Sequence, residues 1–291
     1  MRTPRALTLH TACLASLLAL AFLWPSPAAA DPFFFSTGNP DGLIATLSRP
    51  ADANHFQTET ADDFILSQQT RINSATFVGL LPLGAPLSNI TQVEIEFYHV
   101  FPKDSANPPS GNVATRVNSP ADVEIGAATR DSGAGTLSFL ASLLSARFTV
   151  LNSVVNGVFK APNQFTGGDG PVTGEEVLIS VIFTTPVDLP PDHYFFRPEV
   201  EVADGGKFLW LSAPKPIVGG TGPFNPDLQS WIRNDNLAPD WSRIGSDITL
   251  QGPFNATFSL TGETVPEPST LLLLGFGLLA IGAFSARRRG R

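Results

Sequence analysis

The chain has 291 residues, one cysteine and a formal net charge of −8. Between residues 31 and 264, 12 Lys and Arg stand against 25 Asp and Glu, a net of −13, with no cysteine at all. That balance argues against nucleic acid as a partner, and the missing thiols exclude disulfides, a cysteine nucleophile and a zinc–thiolate site.

In chain order, Arg2 and Arg5 precede an apolar stretch from Ala12 to Trp24, and Ala28-Ala29-Ala30 leads into Asp31. These are the charged, apolar and small-residue regions of a secretory signal peptide over 1–30. Ala28 and Ala30 sit where signal peptidase cuts, with Asp31 as the first residue afterwards. Cys13 lies ahead of most of the apolar run, whereas a lipid-attachment cysteine follows it, so Cys13 reads as a small apolar residue.

Residues 31–264 predict a single acidic all-β domain. Val93, Ile95 and Phe97 alternate with Glu94, Glu96 and Tyr98, the period of two of a strand with one wet face. The apolar run from Val177 to Phe183 suits the middle of a sheet. Strands are expected over Tyr194 to Val202 and Lys207 to Ser212, with Asp204-Gly-Gly206 between them as a hairpin turn. The stretch Phe254 to Leu260 alternates again. Short strands with Gly/Pro-rich connections predict a β-sandwich, jelly-roll or immunoglobulin-like, flanked by the signal peptide and one C-terminal transmembrane helix. Residues 136–158 are ambiguous. Leu140, Leu143, Leu144, Phe148, Leu151, Val155 and Val158 follow helical spacing, but the β-branched residues and Gly157 favour strands around Thr136 to Ala141 and Arg147 to Val154.

Candidate chemistry is sparse. Asp62 and Asp63 are adjacent, so on a strand they point to opposite faces, and they read as a strand-start turn before a core Phe64. Asn234-Asp235-Asn236, Asp240, Asp247 and the loop Gly167-Gly-Asp169-Gly gather oxygen donors of the kind Ca²⁺ takes. No D-x-D-x-D-G loop is present, so turns are the first reading and a structural Ca²⁺ site the second. No other cofactor is expected. His55, His99 and His193 fall in no metal spacing, and Asp192 beside His193 has no G-x-S-x-G elbow to complete a triad. No catalytic residue is assigned. Trp210 is expected in the core. Trp231 and Trp241 flank a polar loop and form a candidate sugar-stacking platform.

The segment 265–291 joins Pro266-Glu267-Pro268 to an apolar run, Ser269 to Ala286, and the basic residues Arg287, Arg288, Arg289 and Arg291. The run would be about 27 Å long as a helix, at about 1.5 Å per residue, barely a bilayer span. The arginines place its C-terminal side in the cytoplasm and the domain outside. This order of parts resembles the PEP-CTERM sorting signal of Gram-negative bacteria. The resemblance implies recognition by an exosortase, cleavage near the PEP triplet, and release to the surface of cells that make exopolysaccharide. Phe33 to Gly42, Glu59 to Phe64 and Trp231 to Trp241 are also similar to a recurring group of proteins with such tails and no assigned function, which implies a shared β-sandwich but no established chemistry. The sequence therefore predicts an exported, non-enzymatic surface or matrix protein. A glycan-binding module for exopolysaccharide is the first alternative and a secreted hydrolase the second.

Overall fold

A computed structural model describes residues 30–108, 110–160, 165–217 and 219–265, together with Gly275 and Gly277. Residues Asp31–Val265 form one compact unit. Its strands are β1 (Pro32–Ser36), β2 (Ile44–Leu47), β3 (Thr58–Leu66), β4 (Thr70–Leu81), β5 (Ile90–His99), β6 (Arg130–Asp131), β7 (Leu137–Val150) and β8 (Asn152–Val154). There follow β9 (Val172–Leu189), β10 (Asp192–Val202), β11 (Leu209–Ala213), β12 (Gly219–Gly220), β13 (Trp231–Asn234), β14 (Ser242–Arg243), β15 (Asn255–Ala256) and β16 (Phe258–Thr264).

They make two sheets. The larger runs β12-β1-β16-β4-β11-β2-β8, with β9 on the other side of β4, β7 outside β9, and β15 on β11. The smaller runs β14-β13-β3-β10-β5-β6. All pairs are antiparallel except β2 with β8. The sheets face each other across an aromatic core, as the alternating pattern requires. Phe196 of β10 stacks on Phe258 of β16 at 4.9 Å and 11°, and Phe77 of β4 meets Phe208 edge-on at 5.7 Å. Trp210 is buried among them, its Nε1 donating to the Thr257 carbonyl at 2.7 Å. The fold is all-β, and among the described residues no helix is long and apolar enough to cross a membrane. The signal peptide 1–30 lies outside the described residues except for residue 30. The expected helix 269–286 also lies outside them except for Gly275 and Gly277, which are helical.

Several expectations change. Residues 137–150 form one continuous strand rather than a helix or two separate strands, and β8 follows after a single residue. The run Val177 to Phe183 lies inside a sheet, yet only alternate residues are buried, and Ile182 is 63 % exposed on the open outer face. Asp204-Gly-Gly206 does not close a hairpin. Asp204 takes a left-handed φ of 56° in a turn that carries the chain from β10 in one sheet to β11 in the other. Asp62 and Asp63 lie in mid-strand, not at a strand start.

Candidate functional site

The outer face of the smaller sheet is polar but covered. Arg197 is fully buried there, with Glu59 at 2.9 Å, Glu199 at 3.1 Å, Glu94 at 3.2 Å and Glu96 at 3.4 Å. Arg233 also binds Glu59, and its guanidinium lies 4.3 Å from the Trp241 ring centre. Burial alone would raise the Glu59 carboxyl, but Arg197 and Arg233 hold it down to about 2. Glu96 has only part of one guanidinium, so burial wins and pushes it up to about 7. The segment around Ala121 and Asp122 forms a lid on this layer, the Asp122 carbonyl accepting from Arg233 at 2.8 Å. Arg116 organises that lid by binding Asp122 and Asp240, each at 2.8 Å.

This cover corrects the expectation for the tryptophans. Trp231 and Trp241 are 1 % and 0 % exposed, packed with Ala61, Tyr98 and Phe195. Trp241 Nε1 donates to the Ala121 carbonyl at 3.0 Å. Neither ring offers a face to a sugar. Trp231 also lines a depression of about 380 Å³, but its charged walls are already paired, Lys215 with Asp227 and Arg243 with Asp247.

The candidate oxygen ligands are dispersed as well. Asp240 goes to Arg116, Asp247 to Arg243, and Asp235 accepts from the Gln57 N–H at 3.0 Å. Among the described residues no group of three or more His, Asp or Glu is placed to hold a metal ion. The two adjacent aspartates face opposite ways, as their spacing requires. Asp62 accepts from Ser230 Oγ and the Ala256 N–H, whereas Asp63 accepts from the Leu228 N–H and meets His193 Nε2 at 2.7 Å. His193 thus pairs with Asp63 and not with neighbouring Asp192, which binds Lys103.

What the polar loops build instead is a cleft of about 570 Å³ at one end of the two sheets. Four segments wall it. The first is a small hairpin from Arg49 to Thr58, bridged at Arg49/Thr58 and Asp52/His55. Asp52 closes its turn, accepting from the Asn54 N–H at 2.7 Å and meeting His55 Nδ1 at 2.8 Å. The second wall is Val155 to Phe159, held by Asp169. That carboxylate accepts from the N–H groups of Val155 and Asn156 at 2.7 and 3.0 Å and from Asn156 Nδ2 at 3.0 Å. Burial works against the charge, but these bonds keep Asp169 below the usual carboxylate range. Gly168 sets its approach: at φ +84°, an added Cβ would stand 2.5 Å from Asn152 Oδ1. Asn234 and Asn236 form the third wall and Lys207 the fourth. Asn234 Nδ2 ties this loop to the Val158 carbonyl at 3.1 Å.

The cleft collects unlike chemistries. Phe56 and Phe159 are 61 % and 55 % exposed. Arg49 is buried, with one hydrogen bond to Asp52 at 3.3 Å and an Nε that finds no acceptor among the described residues. Lys207 makes no ion pair among them, and the side-chain amides of Asn54 and Asn236 make no hydrogen bond there. Sequence reasoning missed Arg49, Phe56, Phe159 and Lys207, which carry no motif.

Comparison with known proteins bears on the other end of the chain. The PEP-CTERM protein-sorting motif matches residues 264–289. The chain carries a PEP-CTERM sorting signal. The PEP-CTERM signal marks an exosortase-targeted protein that is exported toward the cell surface. No curated protein matches the chain.

Proposed function

We propose that the protein is a non-enzymatic component of the cell surface or extracellular matrix, cut at both ends. Signal peptidase removes 1–30. The segment 269–286 then holds the chain in the inner membrane, with Arg287, Arg288, Arg289 and Arg291 inside and the domain outside. Exosortase cuts near Pro266-Glu267-Pro268 and frees the domain. The match over 264–289 carries this reading. The non-enzymatic part is supported by how the buried ionisable groups are used, since the carboxylates of the covered layer are bound to Arg197 and Arg233. The cleft favours a second element, in which the domain holds a glycan, without the tryptophans.

Intact-mass measurement on surface-exposed protein tests the processing. A species beginning at Asp31 and ending near Val265 is expected. A steady-state mass that retains Arg291, in cells with an active exosortase, overturns it.

A further inference from the structure

We infer that the cleft between the Arg49–Thr58 hairpin and the Val155–Phe159 wall binds an acidic saccharide bearing one carboxylate among neutral sugars. The inference rests on the reading of the domain as a binding protein and adds the class of ligand. Among the lining residues Arg49 and Lys207 stand against one acid, Asp52, with Asp169 behind the second wall also attracting Lys207, so the lining itself is cationic on a domain whose net charge is −13. Arg49 is buried and under-bonded: Asp52 takes one hydrogen bond and Nε has no acceptor among the described residues. A guanidinium in that position seeks a carboxylate, which accepts charge-assisted hydrogen bonds.

The remaining walls choose the body of the ligand. Phe56 and Phe159 are exposed within a concavity, and their flat faces match the C–H face of a pyranose ring. The amides of Asn54 and Asn236 each offer a donor and an acceptor, the complement of hydroxyls that both donate and accept. A volume of about 570 Å³ falls within the range of small-molecule sites, about 300–1,000 Å³. Charge density sets the upper limit on acidity. A polyanion meets the repulsion of the whole domain, whereas a single carboxylate meets mainly the Arg49/Lys207 pair, the far field being screened over about 8–10 Å.

The probe is a trisaccharide with one terminal hexuronate, compared by calorimetry with the same trisaccharide whose carboxylate has been reduced to an alcohol. The protein is the compact unit 31–265, which contains both sheets and the whole cleft. The acidic sugar is expected to bind at least tenfold more tightly than its neutral twin. Lys207→Met and Phe159→Ala, both at exposed positions, should each weaken it at least fivefold, and Arg49→Gln should remove the preference for the acid. Equal binding of the two sugars, no binding of either at millimolar concentration, or indifference to Lys207→Met and Phe159→Ala overturns the assignment. Mass spectrometry of the recovered trisaccharide separates the two readings. Cleaved product overturns the non-enzymatic reading and leaves the ligand class standing, whereas failure to bind leaves the processing untouched.

Discussion

At the scale of residues, the covered layer around Arg197 links stability to pH in two opposite ways. Glu59 has its folded value pulled down, so its contribution is complete above about pH 4.5 and is lost as pH falls toward about 2. Glu96 has its folded value raised from 4.5 to about 7, so it costs nothing below about pH 4.5. Its cost grows as pH rises through that window and is complete above about pH 7. Burial also raises Glu94 and Glu199, adding to the same trend. Stability should therefore peak in mildly acid solution near pH 4.5–5 and decline toward neutrality. Glu96→Gln keeps an acceptor for the Tyr98 hydroxyl, which now donates to Glu96 at 2.6 Å, but removes the ionisation. The variant should match the parent at pH 4.5 and exceed it at pH 8. A shift of this size corresponds to about 3 kcal/mol as an upper bound. Urea melts at both pH values decide it. An equal difference at the two pH values would assign the effect to packing and not to charge.

At the scale of elements, the cleft's second wall depends on Asp169. Asp169→Ala removes the acceptor for two backbone N–H groups and leaves 155–156 without its staple. The variant should lose about 1 kcal/mol. Limited proteolysis should cut near 155–160 several times faster, and an unchanged cutting rate would show the wall held by other contacts. The sequence foretold that Gly167-Gly-Asp-Gly was a turn but not that its aspartate reached back to another segment, because turn chemistry is local and this contact spans 13 or 14 residues. The strand β7 shows how a sequence pattern misleads. Its pairing with β9 shifts register between Leu143 and Ser145 and again between Ser145 and Phe148. Each extra residue of a bulge reverses the in/out phase. The leucines that follow helical spacing, Leu140, Leu143 and Leu144, are 66, 48 and 52 % exposed, so their spacing marks neither a helix nor the buried face of the strand. Strands β5 and β10 carry long stretches of pairing in constant register, and for β5 alternation alone placed the element. The tryptophans failed for a related reason. Their place beside a polar loop suggested exposure, but whether the rings met water depended on Ala121 and its neighbours, which are far away in sequence.

At the scale of the whole molecule, an acidic domain without disulfides makes the effect of salt diagnostic. A net of −13 on residues 31–264 means that the compact state holds like charges closer together than the unfolded chain does. Raising NaCl from 50 to 500 mM shortens the Debye length to a few ångströms and relieves that repulsion. The folded domain should gain about 1 kcal/mol, seen as a rise of about 2–4 °C in Tm for a domain of this size. Reductant should leave Tm unchanged, since the one cysteine, Cys13, lies in the signal segment. The cleft should respond to the same salt with the opposite sign. Attraction between Arg49, Lys207 and a carboxylate weakens as ions screen it, so affinity should fall several-fold over the range in which the fold strengthens. A single titration of Tm against salt, repeated with saturating acidic trisaccharide, reads both effects together. The Tm increment due to ligand should shrink as the ligand-free Tm climbs. If the increment stays constant, the ligand is held by its apolar face alone and the cationic pair has no part in binding. If the ligand-free Tm falls with salt, the acidic surface is not self-repelling, and its carboxylates must be balanced locally by pairs such as Arg71 with Asp188 and Lys103 with Asp192.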